Sequence, residues 1–461
     1  MKTNILSSTI LIGGAIFCGL LLFYSIELGI PRDYSLLIRS LLAALVVLCL
    51  FTLILKPKYK IRMCLVYISV GITILCSETV LFVVEYVNHD IRVTNQPAID
   101  DNKAFDSRTP LQVINDFRMA GLEVYPLTTR AEFGERKIYI QNKEVFPLAG
   151  ISRTDTVHCN ELGTYYIYPS DEHGFNNPLG LWNQTPIQIA SIGDSFTYGE
   201  CVPPEQNTTS LMRSIYPKSI NLGMSSSGTL DQLAIMKEYL INLKPQIVLW
   251  FYWEGNDLFD ILQERQLHPS LNEYLVKDYN QGLVTVQKEI DIGLKEIANS
   301  RINDTRAGFW TIRTAREIIF LRNWRNRLTN LTRIKSCEID EDTLEFFQVI
   351  LREGKDYIDS WAGELYLVYL PTWSRYGDTN TAGIQCANLI EFHGQVINIA
   401  TQENIPVIDL SEVFDRHPDP LSLFPFRLFG HYNGAGYRLV ADEVLEFLHQ
   451  HYPQSSAVES N

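Results

Sequence analysis

The chain has 461 residues, 46% of them hydrophobic, with 39 basic against 53 acidic side chains and a formal net charge of −14. That length accommodates a membrane segment plus one large α/β domain, or two ordinary domains. The acidic balance offers no phosphate-binding surface, so nucleic acid is excluded as an expected partner.

The apolar residues crowd into the first 88 positions. Three runs stand out there, Ile5 to Tyr24, Leu36 to Leu55 and Met63 to Val84, each near the roughly 20 residues that cross a bilayer as a helix. They predict an anchor of about three transmembrane helices over residues 1–88, with the lipid bilayer as partner. The third run carries Glu78, which marks either a group facing the bundle interior or a shorter, interfacial segment. Lys56, Lys58, Lys60 and Arg62 fill the loop between the second and third runs. The positive-inside rule places that loop in the cytoplasm and everything after residue 88 outside it, in a periplasm or equivalent space. Four cysteines, Cys18, Cys49, Cys64 and Cys76, sit in the apolar region as small hydrophobes, leaving Cys159, Cys201, Cys337 and Cys386 for one or two disulfides.

Residues 89–180 read as a polar extracytoplasmic lead-in with short strand-like stretches at Lys137 to Gln141 and Thr164 to Tyr168. From 181 to 453 the pattern becomes regular. Apolar, β-rich runs at Ile187 to Ile192, Ser219 to Leu222, Gln246 to Tyr252, Leu365 to Leu370 and Pro406 to Leu410 alternate with helix-length amphipathic segments. Near-continuous apolar strands separated by helices predict an α/β fold, a three-layer α/β/α sandwich around a parallel sheet. The stretch Arg301 to Arg333 is basic and aromatic. It reads either as an amphipathic helix packed on its own domain or as an insertion for an anionic membrane surface or glycan. Residues 454–461 read as a loose tail.

Chemistry concentrates at strand ends. IQIASIGDSFTYG, Ile187 to Gly199, runs a buried strand through Gly193 and Asp194 into Ser195 and a helix, the placement that raises a hydroxyl at the carboxyl edge of a parallel sheet. Further along come NLGMSSSGT (Asn221 to Thr229), EGND (Glu254 to Asp257) and HYNGAG (His431 to Gly436). In this order the four blocks resemble the SGNH/GDSL hydrolase superfamily, with a flavodoxin-like fold, over about residues 187 to 450; DEHGFNN, Asp171 to Asn177, resembles the segment preceding the nucleophile in extracytoplasmic members.

The resemblance implies an SGNH-type serine esterase or O-acyl transferase. Ser195 is then the nucleophile and His431 the general base and acid. The oxyanion hole combines the Ser195 N–H, the Asn256 amide and a backbone N–H of the second block, where spacing allows Ser226 or Gly228 and Gly228 is favoured. One departure is plain: the family's aspartate two or three residues before the histidine is replaced by Phe429 and Leu428. Three explanations stay open: Asp415, Asp419 or another acid folds in, a backbone carbonyl or water orients the ring, or activity is low. Asp171 with His173 also resembles the acid and base pair of alginate-acetylating relatives. No HExxH or CxxC spacing and no phosphate-binding glycine loop occurs, so no metal and no cofactor is implied.

Three functions follow as alternatives. One is a hydrolase or transferase for acyl, chiefly O-acetyl, esters of an extracytoplasmic polysaccharide. Another is a lipase or phospholipid esterase at the membrane surface. The third is a catalytically weak binding or assembly subunit, suggested by the missing aspartate.

Overall fold

The computed structural model describes residues 7–16, 43–94, 105–128, 138–157, 159–306, 339–378 and 387–452, with Ile5, Ile318 and Trp324. The chain divides into two compact units, Met1–Arg92 with Phe309–Lys335, and Val93–Gly308 with Ser336–Asn461.

Among the described residues of the first unit, one helix is long and apolar enough to cross a membrane, at Pro57–Phe82; Ser7–Ile16 and Ala43–Thr52 are shorter apolar helices. The intervening parts of the first two predicted runs lie outside the described residues. Glu78 is fully buried and accepts the backbone N–H of Trp324 at 2.9 Å, while the Trp324 indole N–H donates to Ser77 Oγ at 2.9 Å. The apolar run thus tolerates its carboxyl group because a hydrogen-bond donor is brought to it. Of the basic aromatic stretch, Phe309–Lys335 belongs to this unit, and most of it lies outside the described residues.

The second unit is built on five parallel strands: β6 (Ile189–Gly193), β7 (Ser219–Gly223), β8 (Ile247–Trp253), β9 (Glu364–Leu370) and β10 (Val407–Asp409). Their order across the sheet is β10-β9-β8-β6-β7, and every neighbouring pair is parallel. Each arises from one of the five apolar runs read in the sequence. Side chains alternate between faces. Ala190, Ile192, Val248, Trp250, Tyr252, Leu365 and Leu367 enter one core with the helices Thr229–Tyr239 and Glu341–Asp359. Ile189, Ile247, Leu249, Phe251, Val368 and Leu370 enter a second core with the helix Gly434–His451. Burial on both faces is what makes the strands apolar throughout, and it gives the α/β/α sandwich.

Ahead of this sheet, β1 (Val124–Pro126), β4 (Asp155–Val157) and β5 (Ile167–Pro169) form a small three-stranded sheet, and β2 (Ile138–Ile140) pairs with β3 (Lys143–Val145). β4 and β5 are antiparallel, so the segment between them, including Cys159 and Glu161, is a loop projecting from one sheet end.

Candidate active site

The chain runs from β6 to the edge strand β7 and then back across β6 to β8. That reversal opens a crevice beyond the strands' carboxyl ends, where open α/β sheets hold ligands. Ser195 opens the short helix Ser195–Tyr198 directly after β6, and Asp194 caps it, accepting the Phe196 N–H at 2.9 Å. Packing requires a glycine at Gly193: a Cβ there would stand 2.1 Å from Thr197 Oγ1 and 3.0 Å from the Phe251 carbonyl oxygen. Gly223, at the end of β7, is equally constrained, its ideal Cβ lying 2.3 Å from the Tyr198 nitrogen.

His431 reaches the same crevice from the other end of the chain. Asn433 caps the helix Gly434–His451, accepting from Ala435 N–H and Gly436 N–H, and this fixes the two residues before it. His431 Nε2 lies 2.9 Å from Ser195 Oγ. The imidazole sits 4.9 Å from the Phe196 ring, itself stacked on Trp253 at 4.5 Å.

The group at the other ring nitrogen is Glu161. Its Oε1 is 3.0 Å from His431 Nδ1, and its Oε2 accepts the His431 backbone N–H at 2.8 Å. The expected acids are engaged elsewhere: Asp419 is held by Arg427 (Nη2 to Oδ1, 2.9 Å), and Asp415 accepts the Tyr376 hydroxyl at 2.9 Å. The Asp171–His173 pair is not at the nucleophile. Asp171 is buried and accepts from His173 N–H, Phe175 N–H, Asn177 Nδ2 and Trp182 Nε1, while the His173 ring packs edge-on against Trp182 at 4.4 Å. This knot is structural, since Asn177 also donates to the Asn221 carbonyl of β7 at 2.8 Å.

Burial would push the His431 pKa down, but the carboxylates of Glu161, Glu200 and Asp194 outweigh it and raise it to about 9. Glu200 Oε2 lies 3.7 Å from His431 Nε2. Burial raises the Asp194 carboxyl, opposed by the Phe196 N–H and by the charge on His431. Burial, with Asp194 nearby, raises Asp257 as well.

Asn256 stands at the end of β8 as the residue before the helix Asp257–Leu267, yet its side chain does not cap that helix. Its Oδ1 is buried with no hydrogen-bond partner among the described residues. Of the two second-block positions, Ser226 is exposed with φ at 62°. Gly228 is buried, and a Cβ on it would lie 2.6 Å from both Asp260 Cβ and Glu264 Oε1. That glycine lets the turn pack under the helix Asp257–Leu267.

A disulfide joins Cys159 to Cys201; Cys337 and Cys386, the other two candidates, lie outside the described residues. It brackets the site, with Cys159 two residues before Glu161 and Cys201 directly after Glu200.

No family model matches the chain, and no curated protein matches it. Among solved structures it is similar to a putative lipolytic protein of the G-D-S-L family from Desulfitobacterium hafniense DCB-2, at 16% identity and TM-score 0.32 over 56% of this chain and 98% of that one. It is likewise similar to a lipase/acylhydrolase from Enterococcus faecalis, at 17% identity and TM-score 0.32 over 57% and 96%. A two-domain esterase active on acetylated mannans matches at 15% identity and TM-score 0.31, over 57% of this chain and 49% of that one. Likeness at this level leaves the chemistry to be read from the side chains.

Proposed function

We propose that this chain is a serine ester hydrolase of the SGNH/GDSL type, with Ser195, His431 and Glu161 as its triad. One observation carries the reading: a continuous relay, Glu161 Oε1 to His431 Nδ1 at 3.0 Å and His431 Nε2 to Ser195 Oγ at 2.9 Å, at the carboxyl edge of a parallel sheet. Ser195 Oγ–H donates to Nε2, and the oxygen attacks the acyl carbon as His431 takes its proton. Glu161 accepts from Nδ1–H, holding the tautomer that leaves Nε2 basic and stabilising the imidazolium that forms. The Asn256 amide, the Ser195 N–H and an N–H of the Ser225–Gly228 turn receive the oxyanion. Collapse expels the alcohol, which recovers the proton from His431; water, or a sugar hydroxyl in a transferase, then releases the acyl group.

The substrate we assign is an O-acetyl ester of an extracytoplasmic polysaccharide. The apolar helix Pro57–Phe82 and the basic cluster Lys56, Lys58, Lys60 and Arg62 at its N-terminal end support a membrane-held enzyme facing outward, close to an envelope polymer. Glu161 at Nδ1 removes the motive for a catalytically weak subunit. The lipase reading draws on one observation, the exposed Leu428 and Phe429, three and two residues before His431.

Full-length protein in detergent is the material for the test. Fluorophosphonate should label Ser195, and acetyl esters should turn over faster than long-chain esters. Preference for long chains would transfer the assignment to a lipase. Undiminished hydrolysis by the folded Ser195→Ala variant would exclude a serine mechanism at this site.

A further inference from the structure

The loop that carries Glu161 and the turn that follows the nucleophile helix are covalently joined by Cys159–Cys201. Cys201 is fully buried and its Sγ lies 3.5 Å from His431 Nδ1, the nitrogen that Glu161 faces. Cys159 is only half-buried. The other polar anchors of the loop run elsewhere: Asn160 Nδ2 donates to the Asp106 carbonyl at 2.6 Å, and Asp106 N–H donates to the Gly163 carbonyl at 2.9 Å. Those bonds hold the loop to residue 106 and leave the disulfide as its covalent link to the nucleophile's side of the crevice.

We propose that the Cys159–Cys201 disulfide is a redox-controlled positioning element, which holds Glu161 on His431 when oxidised and releases it when reduced. The inference rests on the triad reading above. The access geometry fixes the direction of the step. One thiolate of a dithiol reductant attacks the half-buried Cys159 Sγ and Cys201 leaves as a thiolate. The second thiolate of the reductant then displaces Cys159, so two electrons pass to the protein, each cysteine sulfur ends protonated, and the reductant closes to its own disulfide. The Cys201 thiol stays beside Nδ1, where it competes with Glu161 for the ring N–H.

The charged groups facing His431 are Glu161, Glu200 and Asp194. Glu200 and Asp194 sit on the nucleophile turn and do not depend on the loop. Withdrawal of Glu161 alone therefore lowers the imidazole only part of the way from about 9 toward its ordinary 6.5.

The test compares full-length protein, oxidised and after dithiothreitol, with p-nitrophenyl acetate across pH 6 to 10. A Cys159→Ser/Cys201→Ser variant and a Glu161→Gln variant run alongside, and far-UV circular dichroism monitors the fold. Reduction should lower kcat about 10²-fold, the scale of an ångström-sized misplacement, with KM little changed and the acid limb of the profile shifted to lower pH. Reoxidation should restore the wild type, and Glu161→Gln should be indifferent to reductant. Identical kcat and pH limb in both redox states would overturn the proposal, as would a further equal loss on reducing Glu161→Gln. If the double variant does not fold, the reduced wild type decides alone. Should the oxidised protein neither hydrolyse esters nor take up fluorophosphonate, the esterase reading fails separately; NMR titration of the His431 imidazole still tests the clamp, a lower pKa on reduction supporting it and an unchanged one refuting it.

Discussion

Replacing Glu161 with glutamine keeps the side chain's size and its ability to accept the His431 backbone N–H while removing the charge. The rise of the imidazole from 6.5 to about 9 represents about 3 kcal/mol in favour of its charged form, shared among Glu161, Glu200 and Asp194. The imidazolium forms in the transition state, so loss of the larger part of this stabilisation costs up to about 10²-fold in kcat. Loss of the correct tautomer adds to that, up to the ~10⁴ seen when a serine protease triad loses its acid. The sign of the pH effect is fixed by the same interaction. His431 must be neutral to accept the serine proton, so wild-type kcat/KM rises with pH through the pKa of the free enzyme, near 9. The variant should be slower above the wild-type pKa, with the gap narrowing at lower pH as its acid limb moves toward 6.5. Stopped-flow or spectrophotometric hydrolysis of an activated acetyl ester across that window reads both quantities. A glutamine variant with wild-type kcat and an unmoved limb would refute the role of Glu161.

Asn256→Ala should lower kcat about 10²- to 10³-fold, the usual effect of deleting one oxyanion donor, with the melting temperature nearly unchanged because the amide caps nothing; a large loss of stability instead would mark it as structural. Gly193→Ala should destabilise the second unit by more than the 1–3 kcal/mol typical of overpacking, since its methyl group would overlap Thr197 Oγ1 and face the Phe251 carbonyl. Pairing it with Thr197→Ser, which removes a methyl group but not the hydroxyl, should restore little, and full recovery in urea unfolding would show the clash to be misplaced.

The sheet was legible because burial on both faces leaves a signature in single strands: five apolar runs gave five parallel strands with boundaries differing by two residues or fewer. In the candidate site the pairing of Ser195 with His431 was legible because each sits at a strand end or before a helix cap, where local spacing carries information. Glu161 was not. It lies 270 residues from its partner, and although another acid than Asp415 or Asp419 was left open, nothing local in the sequence singles out Glu161. A cysteine after the nucleophile block at Cys201 and another beside a carboxylate upstream was the available clue, but pairing is a property of the folded chain. The assignment of Gly228 to the oxyanion hole met a similar limit. Composition marks a glycine, whereas the left-handed backbone falls on Ser226 and the packing demand on Gly228.

The sequence separation of 236 from Ser195 to His431 also sets an order of events during synthesis. At about 5–20 residues per second the nucleophile precedes its base out of the ribosome by roughly 10–50 s. A nascent chain therefore exposes Ser195 as an ordinary hydroxyl until the helix Gly434–His451 has emerged and docked, so on the proposed mechanism the nucleophile meets no base before the segment carrying His431 has been made.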